Sequence, residues 1–171
     1  MKNNRKIFVD MDGVLSDFEA RFIHVNGDSP SSKKNTWSSF WRNMVDGNHF
    51  ATLDLMPNAP SLIDYLKNIK GIDIAILSSS GVFADHSEVQ RQKLEWLKSN
   101  DIDWPAIIVP GKQYKAGFAN SKSLIIDDSL SVITAFRQKT GIAILHDDKY
   151  SYETIETLDS VIARWKEYDD R

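Results

Sequence analysis

The chain contains no cysteine, which excludes disulfides, thiolate-bound zinc and a cysteine nucleophile. Any metal must be held by oxygen or histidine. Long apolar runs are absent too: nothing approaches the roughly 20 residues a spanning helix needs, so a membrane role is not expected. The N-terminal "MKNNRKIFVD" has basic residues but too short an apolar stretch for the core of a signal peptide, which points to a cytoplasmic protein. Basic excess is missing as well. A formal net charge of −3 is not that of a duplex-binding protein, and long nucleic acid is not an expected partner.

What is present is ordinary globular composition, 42% hydrophobic and 26% charged over 171 residues. That suits one α/β unit with a small insertion and a proper core. Short apolar, β-branched runs recur at Ile7–Val9, 72–80 ("IDIAILSSS"), 106–111 ("AIIVPG"), 123–129 ("SLIIDDS") and from 141 ("GIAILHDD"). Each reads as a buried parallel strand. Helical spacing falls between them. Residues 59–69 carry Leu62, Ile63, Leu66 and Ile69, with Pro60 early and Gly71 after the end. Residues 86–99 carry Val89, Leu94 and Leu97, with Asn100 as a left-handed cap. Residues 130–139 carry Leu130, Ile133 and Phe136, and 153–168 carry Ile155, Leu158, Ile162 and Trp165. Strand and helix alternate, which predicts a Rossmann-like, three-layer α/β/α parallel sheet.

The rhythm breaks once. About sixty residues separate the first two strands, more than a crossover needs, so something is inserted there. Trp37, Phe40, Trp41, Met44 and Val45 repeat at helical spacing between Thr36, a suitable N-cap, and Gly47. The expected division is a core of residues 1–18 and 57–171 and a small helical cap of residues 19–56, with "GDSPSSKKN" at 27–35 as its most loop-like stretch.

Polar residues collect where the apolar runs end. Asp10 and Asp12 follow the first, Ser78, Ser79 and Ser80 end the second, and Asp127 and Asp128 end the fourth. In a parallel sheet these positions share one crevice, where ligands bind. Four carboxylates converging there require a cation, and all-oxygen ligation favours Mg²⁺. An aspartate beside Mg²⁺ suits phosphoryl transfer, with Asp10 as nucleophile and Asp12 as general acid and base. Separately, a D-x-D pair or an Asp-Asp pair is often a turn or a helix cap. Together, after apolar strands, they mark a site.

"FVDMDGVLSDFE" resembles the first motif of the haloacid dehalogenase (HAD) superfamily. It is most similar to that of the 5′(3′)-deoxyribonucleotidases, D-M-D-G-V-L-A-D-F-E, differing only at Ser16. Ser78, Lys115 and "LIIDD" stand in order for the second, third and fourth motifs, so that the likeness spans residues 5–146. The resemblance implies a HAD-like phosphatase: Asp10 as nucleophile, Asp12 as acid and base, and Ser78 and Lys115 holding the phosphate. Asp10, Asp12, Asp127 and Asp128 would make the Mg²⁺ site. Ser78 replaces the usual threonine and Ser80 the usual proline. Lys112 competes with Lys115, but "KAGFA" resembles the family's K-x-x-[YF]-A run and favours Lys115.

Around this core, Trp37, Phe40, Trp41 and Phe50 either stack on a nucleobase or form the cap's own core, and Phe18 could line the same pocket. Ser79, Ser80 and His86, the last near a helix N-terminus, are candidate substrate contacts. His24, His49 and His146 have no partner at ligand spacing. The substrate expected is a small phosphomonoester, a deoxyribonucleoside monophosphate first. Sugar phosphates and nucleic-acid 3′ ends are alternatives, the latter needing a basic groove for which Lys33, Lys34 and Arg42 are sparse. A non-catalytic phosphate-binding module is the remaining class. A homodimer is compatible with all of these, and no partner protein is implied.

Overall fold

The computed structural model describes residues 5–32, 37–82 and 85–169, and all but the side chains of Trp37 and Asp169 within them. Five strands form one parallel sheet: β1 (Lys6–Val9), β2 (Asp73–Ser79), β3 (Ala106–Val109), β4 (Ser123–Asp127) and β5 (Ile142–Leu145), in the order β3-β2-β1-β4-β5. The register sets Ile7 beside Ile74 on one side and Leu124 on the other. β1 is therefore central. The chain builds outward to β3 and then returns to β4, so the order reverses between β1 and β4. A crevice opens at the carboxyl ends of strands at such a reversal.

Side-chain alternation along the strands divides the core in two. Ile7, Val9, Ile76, Leu124 and Ile126 face helices α3 (Ala59–Asn68), α4 (His86–Ser99) and α6 (Ser151–Asp169), meeting Leu62, Leu66, Val89, Trp96 and Leu158. Phe8, Ala75, Leu77 and Ile125 face the other way, against Val132, Ile133 and Phe136 of α5 (Leu130–Gln138) and Phe118 of a 3₁₀ segment, Lys112–Phe118. Helices cover both faces, as strands this uniformly apolar require. The fold is the three-layer α/β/α arrangement expected.

Between β1 and α3 the chain forms α1 (Phe18–Asn26), α2 (Trp37–Asp46) and a short 3₁₀ turn, His49–Ala51. Asp17 caps α1 by accepting from the Ala20 amide. Entry and exit of this helical cap are fastened together. The Asp17 amide donates to Asp54, the Met56 amide donates to Leu15, and Ser16 bridges Leu55 in antiparallel fashion. The expected N-cap Thr36 and the lysines Lys33 and Lys34 lie outside the described residues. No helix among those described is long and apolar enough to cross a membrane.

Three local expectations are corrected. Leu94 is 43% exposed, whereas α4 buries Val89, Gln92, Lys93, Trp96 and Leu97. Its inward stripe is therefore rotated, drawn round by Trp96, whose indole donates to the Leu53 carbonyl at 2.7 Å. Leu130, at the first turn of α5, points to solvent. Asn100 is not left-handed; Asp101 takes that conformation, with φ of 54°.

Candidate active site

β1 and β4 carry Asp10 and Asp127 to either side of the topological reversal, and the ladder continues past β1 because the Asp10 amide donates to Ile126. One Asp10 oxygen accepts from the Met11 amide at 2.7 Å. The other lies 2.6 Å from Lys115 Nζ, which also reaches Asp127 at 2.7 Å. Lys115 is 2% exposed and bridges the two strands. Lys112 instead donates to the Ser129 hydroxyl at 3.2 Å. Burial pulls the Lys115 pKa down, but Asp10 and Asp127 together outweigh it and hold the ammonium above its ordinary value.

Carboxylate oxygens of Asp10, Asp127 and Asp128 gather within 4.8 Å of one another. Their crowding is visible in their chemistry. Burial first, and the Asp10 charge second, push Asp127 up to about 7 against the opposing pull of Lys115. The same two causes push Asp128 up to about 6. Asp128 keeps an edge exposed to solvent, which makes it the easier of the two to ionise. One lysine does not balance three such groups, and an all-oxygen cluster with surplus negative charge fits a hard divalent cation.

Gly13 explains why glycine follows the paired aspartates. Its φ is +78°, and a Cβ there would run into the Asp128 carboxylate. The turn it makes is closed by its amide donating to the Ser16 carbonyl, while the Ser16 amide donates to Met11.

The Asp12 carboxylate is not one of the three that gather. Its Oδ1 accepts from the Ser16 hydroxyl at 3.2 Å and its Oδ2 from Lys93 Nζ at 2.6 Å. Lys93, on α4, is fully buried, donates also to Ser78 Oγ at 2.9 Å, and sits 5.7 Å from the centre of the Phe50 ring. Lysine is almost never buried unless it is paired. The sequence reading missed it. A signal was available: Val89, Lys93 and Leu97 fall four apart, so that a charge interrupts an apolar stripe.

The remaining candidates divide. Ser78 is buried at the tip of β2, its hydroxyl joined to Asp12 through Lys93. Ser79 accepts from the Gly81 amide at 3.0 Å, and Ser80 pairs with His86 Nδ1 at 2.8 Å, which leaves both side chains tied to the loop and to α4. Phe18 stacks on Phe50 with centroids 5.8 Å apart and tilts against Trp41 at 5.5 Å, while Phe40 meets Phe22 edge-on. Phe22 and Phe50 are buried, so they belong to the packing of the cap. Phe18, Phe40 and Trp41 stay partly exposed. The Trp37 ring lies outside the described residues. His146 is buried with Nδ1 paired to Thr154 at 2.9 Å, a core role.

Two open grooves, of about 710 and 540 Å³, lie at the amino ends of the strands, beside Trp104 and Ala106 and beside Lys6 and Ser123. Neither is lined by Asp10, Asp12, Asp127 or Asp128. Those carboxylates lie at the other end of the sheet.

A central parallel sheet with covered faces, a chain reversal beside β1 and acidic strand tips define a Rossmann-like α/β protein with a helical cap. Solved structures share that fold. A hydrolase from Streptococcus pneumoniae TIGR4 superposes with a TM-score of 0.53 at 14% identity, over 92% of this chain and all of its own (100%). A hydrolase from Pseudomonas syringae gives 0.51 at 14% identity, covering 81% of this chain and 82% of its own. The HAD domain of the effector protein Lem4 from Legionella pneumophila is similar at a TM-score of 0.46 and 17% identity, over 90% and 94% of the two chains. The likeness to the first two shows a shared α/β fold. No protein-family model and no curated protein matches the chain in sequence.

Proposed function

We propose that the protein is a Mg²⁺-dependent phosphomonoester hydrolase that works through an aspartyl-phosphate, with deoxyribonucleoside monophosphates as its substrates. The carrying observation is a division of labour among the carboxylates. Asp10, Asp127 and Asp128 cluster around Lys115, whereas Asp12 stands apart from them with its own lysine.

Asp10, Asp127 and Asp128 would hold the Mg²⁺, whose charge offsets that of a bound phosphate. Lys115, 2.6 Å from Asp10 Oδ2, holds that carboxylate in place. An Asp10 oxygen attacks phosphorus, the bond to the leaving oxygen breaks, and Asp12 protonates the departing alcohol. Water then attacks the same phosphorus and gives its proton to Asp12. Inorganic phosphate leaves and the Asp10 carboxylate is restored. Ser78, at the tip of β2, offers its hydroxyl to the phosphate.

Two features support a nucleotide. The first motif resembles that of the deoxyribonucleotidases, and Trp41 and Phe18 join an aromatic group that adjoins Gly81, directly after Ser78–Ser80. A base stacked on such a ring gains ~1–3 kcal/mol. The test is phosphate release with and without Mg²⁺ across deoxy- and ribonucleoside monophosphates, sugar phosphates and a 3′-phosphorylated oligonucleotide. Mg²⁺-dependent release favouring deoxynucleotides is expected. Preference for another phosphate would overturn the nucleotide assignment, and silence on all of them would leave a phosphate-binding module.

A further inference from the structure

We propose that Lys93 is a positioning residue for the reaction, holding the Asp12 carboxylate at the leaving group and the Ser78 hydroxyl at the phosphate. This rests on the phosphatase reading above and goes beyond it.

Lys93 Nζ touches two groups from different strands, Asp12 Oδ2 after β1 and Ser78 Oγ on β2, and is shut off from solvent beneath the Phe50 ring. A lysine needed only to tie α4 to the sheet has no reason to choose these two atoms. With Ser16 on Oδ1 and Lys93 on Oδ2, each Asp12 oxygen has one donor, and the carboxylate is fixed in rotation. Ser16 is also the position at which the first motif departs from that of the deoxyribonucleotidases.

The two lysines divide the site between them: Lys115 meets Asp10 and Asp127, and Lys93 meets Asp12 and Ser78. Lys115 serves the nucleophile and the cluster, Lys93 the proton donor. Because Lys93 is fully buried, it acts on substrate through Asp12 and Ser78 rather than by direct contact.

The experiment compares wild type, Lys93→Met, Asp12→Asn and the double variant on an alkyl and an aryl phosphomonoester, a deoxynucleotide and 4-nitrophenyl phosphate. An alkoxide must be protonated as it leaves; nitrophenolate need not be. Lys93→Met is expected to lower kcat on the deoxynucleotide by ~10²-fold, the scale of general acid catalysis, with little change in KM. On 4-nitrophenyl phosphate it should give a stoichiometric burst of nitrophenolate followed by slow turnover, because only the second step still needs Asp12. The double variant should be no slower than Asp12→Asn alone. It also removes the carboxylate charge that Lys93→Met leaves unpaired, so it remains informative if the single variant folds poorly. Equal losses on both substrates without a burst, a rise confined to KM, or losses that multiply in the double variant would each overturn the proposal. A wild type silent on every phosphomonoester would overturn the phosphatase reading, and this one with it.

Discussion

The indole of Trp41 lies so close to Gly81 that a Cβ on the glycine would come within 2.5 Å of Trp41 Cζ2. This contact seats the helical cap against the loop that follows Ser78–Ser80. Gly81 also has φ of +77°, which costs other residues about 1–2 kcal/mol. Gly81→Ala should therefore lower both stability and kcat/KM, the latter by about tenfold through lost orientation. In a Trp41→Ala background the same change should cost less, because the steric part is gone. Thermal melts and kinetics of the four proteins would show it.

Removing Lys115 strands Asp10 and Asp127. Breaking a buried ion pair by taking one partner costs about 3–5 kcal/mol. Lys115→Met should lose that much stability in the absence of divalent cations and recover part of it when Mg²⁺ is added. Denaturant titrations with and without Mg²⁺ measure both quantities, and an unchanged midpoint would contradict the bridge.

Asp10→Asn keeps the side chain's size and should fold, bind phosphate and release none. Phosphate release should drop below detection while the circular dichroism spectrum stays that of the wild type. Substantial residual turnover would remove Asp10 from the nucleophile's role.

Burial holds the His146 pKa below the ordinary 6.5, with the Asp148 and Asp147 carboxylates pulling the other way. The unfolded chain thus takes up a proton at a higher pH than the folded protein does. Stability from this group is present above 6.5 and is lost as pH falls through the folded value. Between about pH 7.5 and about 5.5, wild type should lose more stability than His146→Gln, as equilibrium unfolding at the two values would reveal.

Trp96 is fully buried and its indole holds the Leu53 carbonyl. Trp96→Ala should cost about 3–5 kcal/mol, from the lost apolar burial together with the cavity left behind. Trp96→Phe should cost less, its deficit coming largely from the unpaired carbonyl.

The strands were legible because a buried parallel strand is a continuous apolar run, and Ile7–Val9 and 124–126 are nothing else. Asp10, Asp127 and Asp128 were legible for the same reason: Asp10 and the Asp127–Asp128 pair directly follow such runs, and sheet geometry brings strand tips together. Lys93 was not, because its partners Asp12 and Ser78 lie 81 and 15 residues away and no local pattern announces them. Leu94 misled for a related cause. Helical periodicity selects among apolar residues, whereas α4 buries Gln92 and Lys93 for their partners in the cap and the site and leaves Leu94 outside.

The fastening of the cap, with Asp17 bonded to Asp54 and Met56 to Leu15, brings the chain's exit from the core and its return together. Chain leaves and re-enters the core at one place, so the loop between can lengthen, shorten or be exchanged without moving the tip of β1. A cassette so mounted would let selection for a new substrate proceed in one stretch of sequence while Asp10 and Asp12 stay where the proposed chemistry needs them.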